Sequence, residues 1–137
     1  MKLLKQVLEF NEAYNIPTQP RPRLLSPRHG VSRQISLQAE MDNLNTAFCT
    51  KKIEHIALAI SSSIYKLASL ACELGLQGHL ENCIDEVHFT NMSRIRENKI
   101  IALRTNSRPS FYDTSQIKLI LNDSNRFNSP EKGATAV

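Results

Sequence analysis

The sequence predicts an all-α fold: a four-helix-bundle-type domain with a proline-rich arm and an irregular carboxyl-terminal extension. Apolar residues recur at three- and four-residue intervals in four separate windows, and proline or glycine punctuates the gaps. The chain of 137 residues suits one domain, long enough for a real core and too short for two independent ones.

The elements follow in order. From Leu3 to Tyr14, the residues Leu3, Leu4, Val7, Leu8, Phe10 and Tyr14 mark an amphipathic first helix that Asn15 and Pro17 stop. Residues 17–30 hold Pro17, Pro20, Pro22 and Pro27 with Arg21, Arg23, Arg28 and Gly30, which excludes regular structure and predicts an extended linker or wrapping arm. Leu37, Met41, Leu44 and Phe48 give a narrow apolar seam on a second helix from Ser32 to Phe48, expected to face a partner helix. A third helix, Lys52 to Leu74, carries Ile56, Ile60, Ile64, Leu67, Ala68 and Ala71 and reads as the most buried. Gly75 stands where a left-handed C′ residue would end it. Leu80, Cys83, Ile84 and Val87 predict a fourth helix from His79 to Met92, joined to the third by a short connection and hence its antiparallel neighbour.

Beyond Met92 the periodicity changes. Lys99 to Leu103 reads as a short strand or extended segment, Ser107 to Ser110 as a turn, and Gln116 to Leu121 as a last helical turn or two. Asn122 to Val137 is polar, contains Pro130 and Gly133, and reads as a mobile tail, so the helical domain is set at residues 1–121.

Composition narrows the class. Charged residues at 22% and apolar residues at 41% suit a soluble globular chain. The longest nearly apolar stretch, Ile56 to Ala71, is interrupted by Ser61, Ser62, Ser63 and Lys66, and no membrane span or membrane partner is expected. The amino terminus lacks the apolar region of a signal peptide, which predicts a cytoplasmic protein. Cys49, Cys72 and Cys83 are odd in number and form no CxxC pair, as reduced thiols would. His29, His55, His79 and His88 are scattered and form no zinc motif. A net charge of +4 favours polyanions without demanding them.

A set of landmarks then stands out. Arg33-x-x-x-Leu37-x-Ala39-Glu40-x-x-Asn43-Leu44 precedes a helix with Ser62-Ser63-Ile64-Tyr65, then Glu73-Leu74-Gly75, then Glu86-Val87-His88-x-x-Asn91-Met92-Ser93-Arg94. Over residues 8–121 this order resembles the all-α nucleoside triphosphate pyrophosphohydrolases, in particular the MazG-like and phosphoribosyl-ATP-pyrophosphohydrolase-like proteins of bacteria and phages. The resemblance implies a helical bundle, assembled as a homodimer or a dimer of dimers, that cleaves a nucleoside triphosphate to monophosphate and pyrophosphate. It also implies Mg²⁺ held by Glu-Glu-x-x-Glu on one helix and by a spaced acidic pair on the next, because a hard cation needs anionic oxygens.

The chain departs from that pattern at the metal positions. Glu-Glu-x-x-Glu reads Ala39, Glu40 and Asn43; the aspartate three residues before Tyr65 is Ser62; the earlier acidic position falls on Leu58 or Ala59. Asp42 lies two residues from Glu40, about 200° round a helix, so the two cannot share one ion. The expectation is a pseudoenzyme with no metal ligands, no catalytic residues beyond the relic positions Ala39, Glu40, Asn43 and Ser62, and no cofactor. Glu40 is then solvated or paired with a base such as Arg33.

Ser61 to Ser63 lack the elbow and base of a serine nucleophile and read as close-packing residues. Asn91 and Ser93 read equally as caps of the fourth helix and as nucleotide ligands. Arg94, Arg96, Lys99, Arg104 and Arg108, with Phe111 and Tyr112 nearby, form a basic string able to hold phosphates and stack on a base. The expected ligand-binding set is Arg33, Asn91, Arg94, Lys99, Arg104 and Arg108. The expected function is a binding or scaffold protein for a nucleotide, nucleic acid or protein partner, phage-associated by family habit. Two alternatives stand beside it. One is an active Mg²⁺-dependent hydrolase using Glu40 with acids from Glu54 or another subunit; the other is a structural subunit of a larger assembly.

Overall fold

The computed structural model describes residues 1–96 and 114–127. Among them all regular structure is helical: α1 (Lys2–Ala13), α2 (Pro27–Thr50), α3 (Ile53–Glu73), α4 (Leu80–Arg96) and α5 (Ser115–Phe127). The fold is all-α and of helical-bundle type. The chain divides into two compact units, Met1–Gln77 and Gly78–Val137.

In the first unit α3 is the element on which both α1 and α2 pack. Leu4, Val7 and Asn11, spaced at i, i+3 and i+7, are the buried residues of α1. The Asn11 Oδ1 accepts a hydrogen bond from Ser69 Oγ on α3 at 3.0 Å. α1 ends at Ala13, and Asn15 takes a left-handed φ of 56° as the chain turns away.

α2 begins five residues earlier than its apolar spacing suggests. Ser26 caps it, its side chain accepting the His29 N–H at 3.3 Å, and Pro27 occupies the first helical position, where a missing N–H costs nothing. The arm therefore spans only about residues 17–26. The expected seam is also corrected: Met41 and Phe48 are 50% and 57% exposed, whereas Glu40 and Ala47 are the buried residues of α2.

α3 ends as its sequence predicts. Gly75 has φ +75°, its N–H bonds Cys72 O at 3.1 Å, and the Leu76 N–H bonds Ala71 O at 2.8 Å, which together form a Schellman motif. The arm is fastened to this helix end. The Gln19 N–H donates to Cys72 O at 3.2 Å, the Arg23 N–H to Leu74 O at 2.9 Å, and Gln77 Nε2 to Gln19 O at 2.8 Å. Carbonyls that a helix terminus leaves without partners are thus satisfied by the arm. A Cβ on Gly75 would collide with the Arg21 carbonyl oxygen, so both the turn and the arm require glycine there.

The buried apolar residues of this unit are Leu4, Val7, Ala47, Ala59, Ala68, Ala71 and Cys72, mostly small, which lets helices approach closely. α3 is central, but it is not covered all round: Ile53, Leu58, Ile60, Ile64 and Leu67 are exposed. By length and composition alone α3 passes as long and apolar enough to cross a bilayer, as the core helix of a helical bundle also can. Ser62, Lys66, Ser69 and Glu73, which interrupt it, face α1 and α2 in this fold.

In the second unit α4 and α5 pack together. α4 runs one turn past Met92 to Arg96, so Asn91 and Ser93 lie within the helix and do not cap it. α5 continues to Phe127, through residues expected to belong to the tail; the first breakers, Pro130 and Gly133, come only later. The expectations for Lys99–Leu103, Ser107–Ser110 and residues 128–137 lie outside the described residues.

Candidate functional site

The α2 residues that meet α3 are spaced as one stripe: Arg33, Ser36, Glu40 and Ala47. On α3 the answering stripe is Ala59, Ser62, Lys66 and Glu73. The two stripes create two polar clusters along one helix pair.

The first cluster is centred on Glu40, whose side chain is 9% exposed. Ser62 Oγ donates to Glu40 Oε1 at 2.6 Å. Lys66 Nζ lies 2.9 Å from Glu40 Oε2 and donates to Ser36 Oγ at 3.2 Å. The carboxylate pKa is thereby lowered from the ordinary glutamate value, first by the Ser62 hydroxyl and then by the Lys66 hydrogen bond and charge, with burial pulling the other way. Each carboxylate oxygen already has a strong partner.

A groove of about 440 Å³ opens beside this cluster, lined by Asn43, Thr46, Thr50, His55, Leu58 and Ala59 as well as Glu40 and Ser62. Glu40 is the carboxylate that lines it. Two of its hydroxyls are bound to their own helix, Thr46 to Asp42 O at 3.0 Å and Thr50 to Ala47 O at 2.6 Å. Asn43 and His55 are exposed and bring an amide and an imidazole to the lining of the groove.

The second cluster lies where the arm, α2 and α3 meet. Arg33 Nε donates to both oxygens of Glu73, at 3.0 and 2.9 Å, and His29 Nε2 lies 2.9 Å from Oε1. Glu73 is 3% exposed, so its charge is compensated inside the protein rather than by water.

The structure brings Glu40 and Ser62 together and puts Asn43 on the same groove, whereas Ala39 is exposed. It corrects the partner of Glu40: Lys66 pairs with it, and Arg33 is spent on Glu73. Asp42 accepts from Gln38 Nε2 at 3.2 Å on an exposed side of α2, and Glu54 is exposed in the first turn of α3, so neither joins Glu40. Ser61 and Ser63 bond back to Ala57 O and Ala59 O at 2.8 and 2.9 Å, within their own helix. Among the described residues no three His, Cys, Asp or Glu side chains converge as a metal site.

In the second unit Arg94 is buried and donates to Asn91 Oδ1 at 3.2 Å, so two members of the expected ligand-binding set bond each other. His79 is buried too, which pushes its pKa down. Lys99, Arg104 and Arg108, with Phe111 and Tyr112, lie outside the described residues.

Sequence reasoning missed Lys66 as a partner. A signal was present: it is a lone cation in an apolar helix, four residues after Ser62 and hence on the same face, matched by Ser36 four residues before Glu40. Compared with models of known families, with curated proteins and with solved structures, the chain matches none.

Proposed function

We propose that this chain is a catalytically depleted relative of the MazG-like pyrophosphohydrolases that binds a nucleotide-type anion in the α2–α3 groove without cleaving it. The ion pair between Glu40 and Lys66 carries this reading. Mg²⁺ needs several anionic oxygens, and the residues here do not fit it: one carboxylate remains, one of its oxygens accepts a hydroxyl, and the other already holds an ammonium. Lys66 supplies the positive charge at the place where the resemblance puts a cation.

Anion binding without metal fits the surroundings of the groove. Lys51 and Lys52 follow Thr50 directly in the α2–α3 turn, and both are exposed. Asn43 and His55 are free to hydrogen-bond a base or a phosphate oxygen. The Glu40 carboxylate that lines the groove is offset by the Lys66 ammonium, which lessens its repulsion of a phosphate.

The test uses nucleoside triphosphates with Mg²⁺, with Mn²⁺ and with EDTA. Pyrophosphate release is expected to stay at background, while a nucleotide raises the melting temperature equally in EDTA and loses that effect in a Lys51→Glu/Lys52→Glu variant. Metal-dependent turnover abolished by Glu40→Gln would overturn the reading in favour of an active hydrolase. Absence of any melting shift would remove the nucleotide.

A further inference from the structure

We infer that a cavity enclosed by α1, α2 and α3 of the first unit is a binding site for a small aromatic carboxylic acid. The cavity shares no lining residue with the α2–α3 groove and stands apart from whatever that groove binds.

Its volume is about 210 Å³, below the roughly 300 Å³ at which pockets for drug-sized molecules begin, so it suits one ring with a short acidic side chain. Three helices and a turn build the apolar walls. Phe10 comes from α1, Leu37 from α2 and Leu70 from α3, while Ile16 is brought up by the left-handed turn at Asn15, its N–H bonding Asn11 O at 2.7 Å. The Phe10 ring is fixed from two sides: Tyr14 stacks on it with centroids 4.6 Å apart, and Tyr65 meets it edge-on at 6.0 Å. At 41% exposure the ring keeps surface for one more contact, and a ring already held in place favours an aromatic partner.

The polar lining is rich in donors and poor in acceptors. Arg33 engages Glu73 through Nε alone, which leaves both terminal guanidinium nitrogens without a partner among the described residues. The Tyr65 hydroxyl makes no hydrogen bond among them either. Ser36 accepts from Lys66 and keeps its own proton to give. Next to Ser69 on the wall, buried Asn11 carries an Nδ2 with no partner, a further donor.

The acceptor side is closed. Glu73 is the carboxylate on this lining, and its oxygens are already held by Arg33 and His29. An amine would therefore meet two cations, Arg33 and Lys66, and no open carboxylate. A carboxylate instead accepts from the planar guanidinium fork and the phenol together, with the ring beyond it against Phe10 and Ile16.

Chemical-shift titration of the isotope-labelled full chain with phenylacetate tests the inference. Saturable shifts are expected at the backbone amides of Phe10, Leu37 and Tyr65. Phenylacetamide, which lacks the charge, is expected to bind at least about tenfold more weakly. Tyr65→Phe keeps the ring contact with Phe10 and is expected to weaken phenylacetate about five- to tenfold. Arg33→Lys keeps a cation for Glu73 without the planar fork and is expected to weaken it about tenfold. Ile16→Trp fills the cavity and is expected to abolish saturation. Circular dichroism and urea unfolding check that each variant is folded. The Lys51→Glu/Lys52→Glu variant is expected to bind phenylacetate as the unsubstituted chain does, so the groove reading can fail while this one stands. Absence of saturable shifts overturns the inference, as does equal affinity for the amide, or Tyr65→Phe and Ile16→Trp variants that bind unchanged. Displacement of phenylacetate by a nucleoside triphosphate also overturns it, by making cavity and groove one site.

Discussion

Replacing Lys66 by methionine takes the ammonium away from Glu40 while keeping most of the side-chain length. At 2.9 Å and an effective dielectric of about 20 the gross attraction is about 6 kcal/mol, most of which offsets the desolvation of Glu40. The Lys66 side chain is 42% exposed, so water screens it and the net coupling falls to about 1–2 kcal/mol. A double-mutant cycle of Glu40→Gln and Lys66→Met, read by urea unfolding, measures that coupling. Lys66→Met alone is expected to cost about 2–3 kcal/mol, because the carboxylate remains buried with Ser62 as its partner. The double variant is expected to cost less than the sum of the singles. The folded-state pKa of Glu40 lies below the ordinary value of about 4.5, so its stabilisation is full above that pH and is lost as pH falls through the depressed folded value. The coupling is therefore expected at pH 7 and pH 5.5 and absent in strong acid. A coupling below about 0.3 kcal/mol at pH 7, or one unchanged by acidification, would refute the reasoning.

Gly75→Ala combines a left-handed backbone at +75° with a collision against the Arg21 carbonyl, and is expected to cost about 2–4 kcal/mol and to make the arm the first site of limited proteolysis. Cysteine labelling followed by mass spectrometry is expected to mark exposed Cys49 first; Cys83 reacts slowly, and Cys72 only on unfolding. Burial raises the pKa of both slower thiols, and the Glu73 charge adds to the effect at Cys72.

The helices of the first unit were legible because their signals are local. The three- and four-residue spacing marks α1 and α3, and Gly75 stands at the left-handed position that ends α3. The buried side of α2 was not legible. Leu37, Met41, Leu44 and Phe48 form the louder pattern, yet the side facing α3 carries Arg33, Ser36 and Glu40, and hydrophobicity has no means of marking a face buried through ion pairs. The start of α2 was hidden because Pro27 reads as a breaker, although after a capping serine it is a good first residue. At the site, the loss of acids around Glu40 was readable from residue types alone. Which cation answers Glu40 depends on the rotation of α2 against α3, and one sequence does not encode that visibly. Arg33 is instead held by Glu73, forty residues away in the chain.

Because α1, α2 and the arm are all fastened to α3, the order of synthesis matters. Until α3 has been synthesised, residues 1–50 carry two helices and a strap with nothing to close upon. The arm bonds the backbone at Cys72 and Leu74, more than fifty residues after Gln19, so this knot is tied only when the end of α3 has emerged. The backbone amides of Gln19 and Arg23 therefore share the fate of the last turn of α3, and they should exchange with heavy water as a single cooperative group.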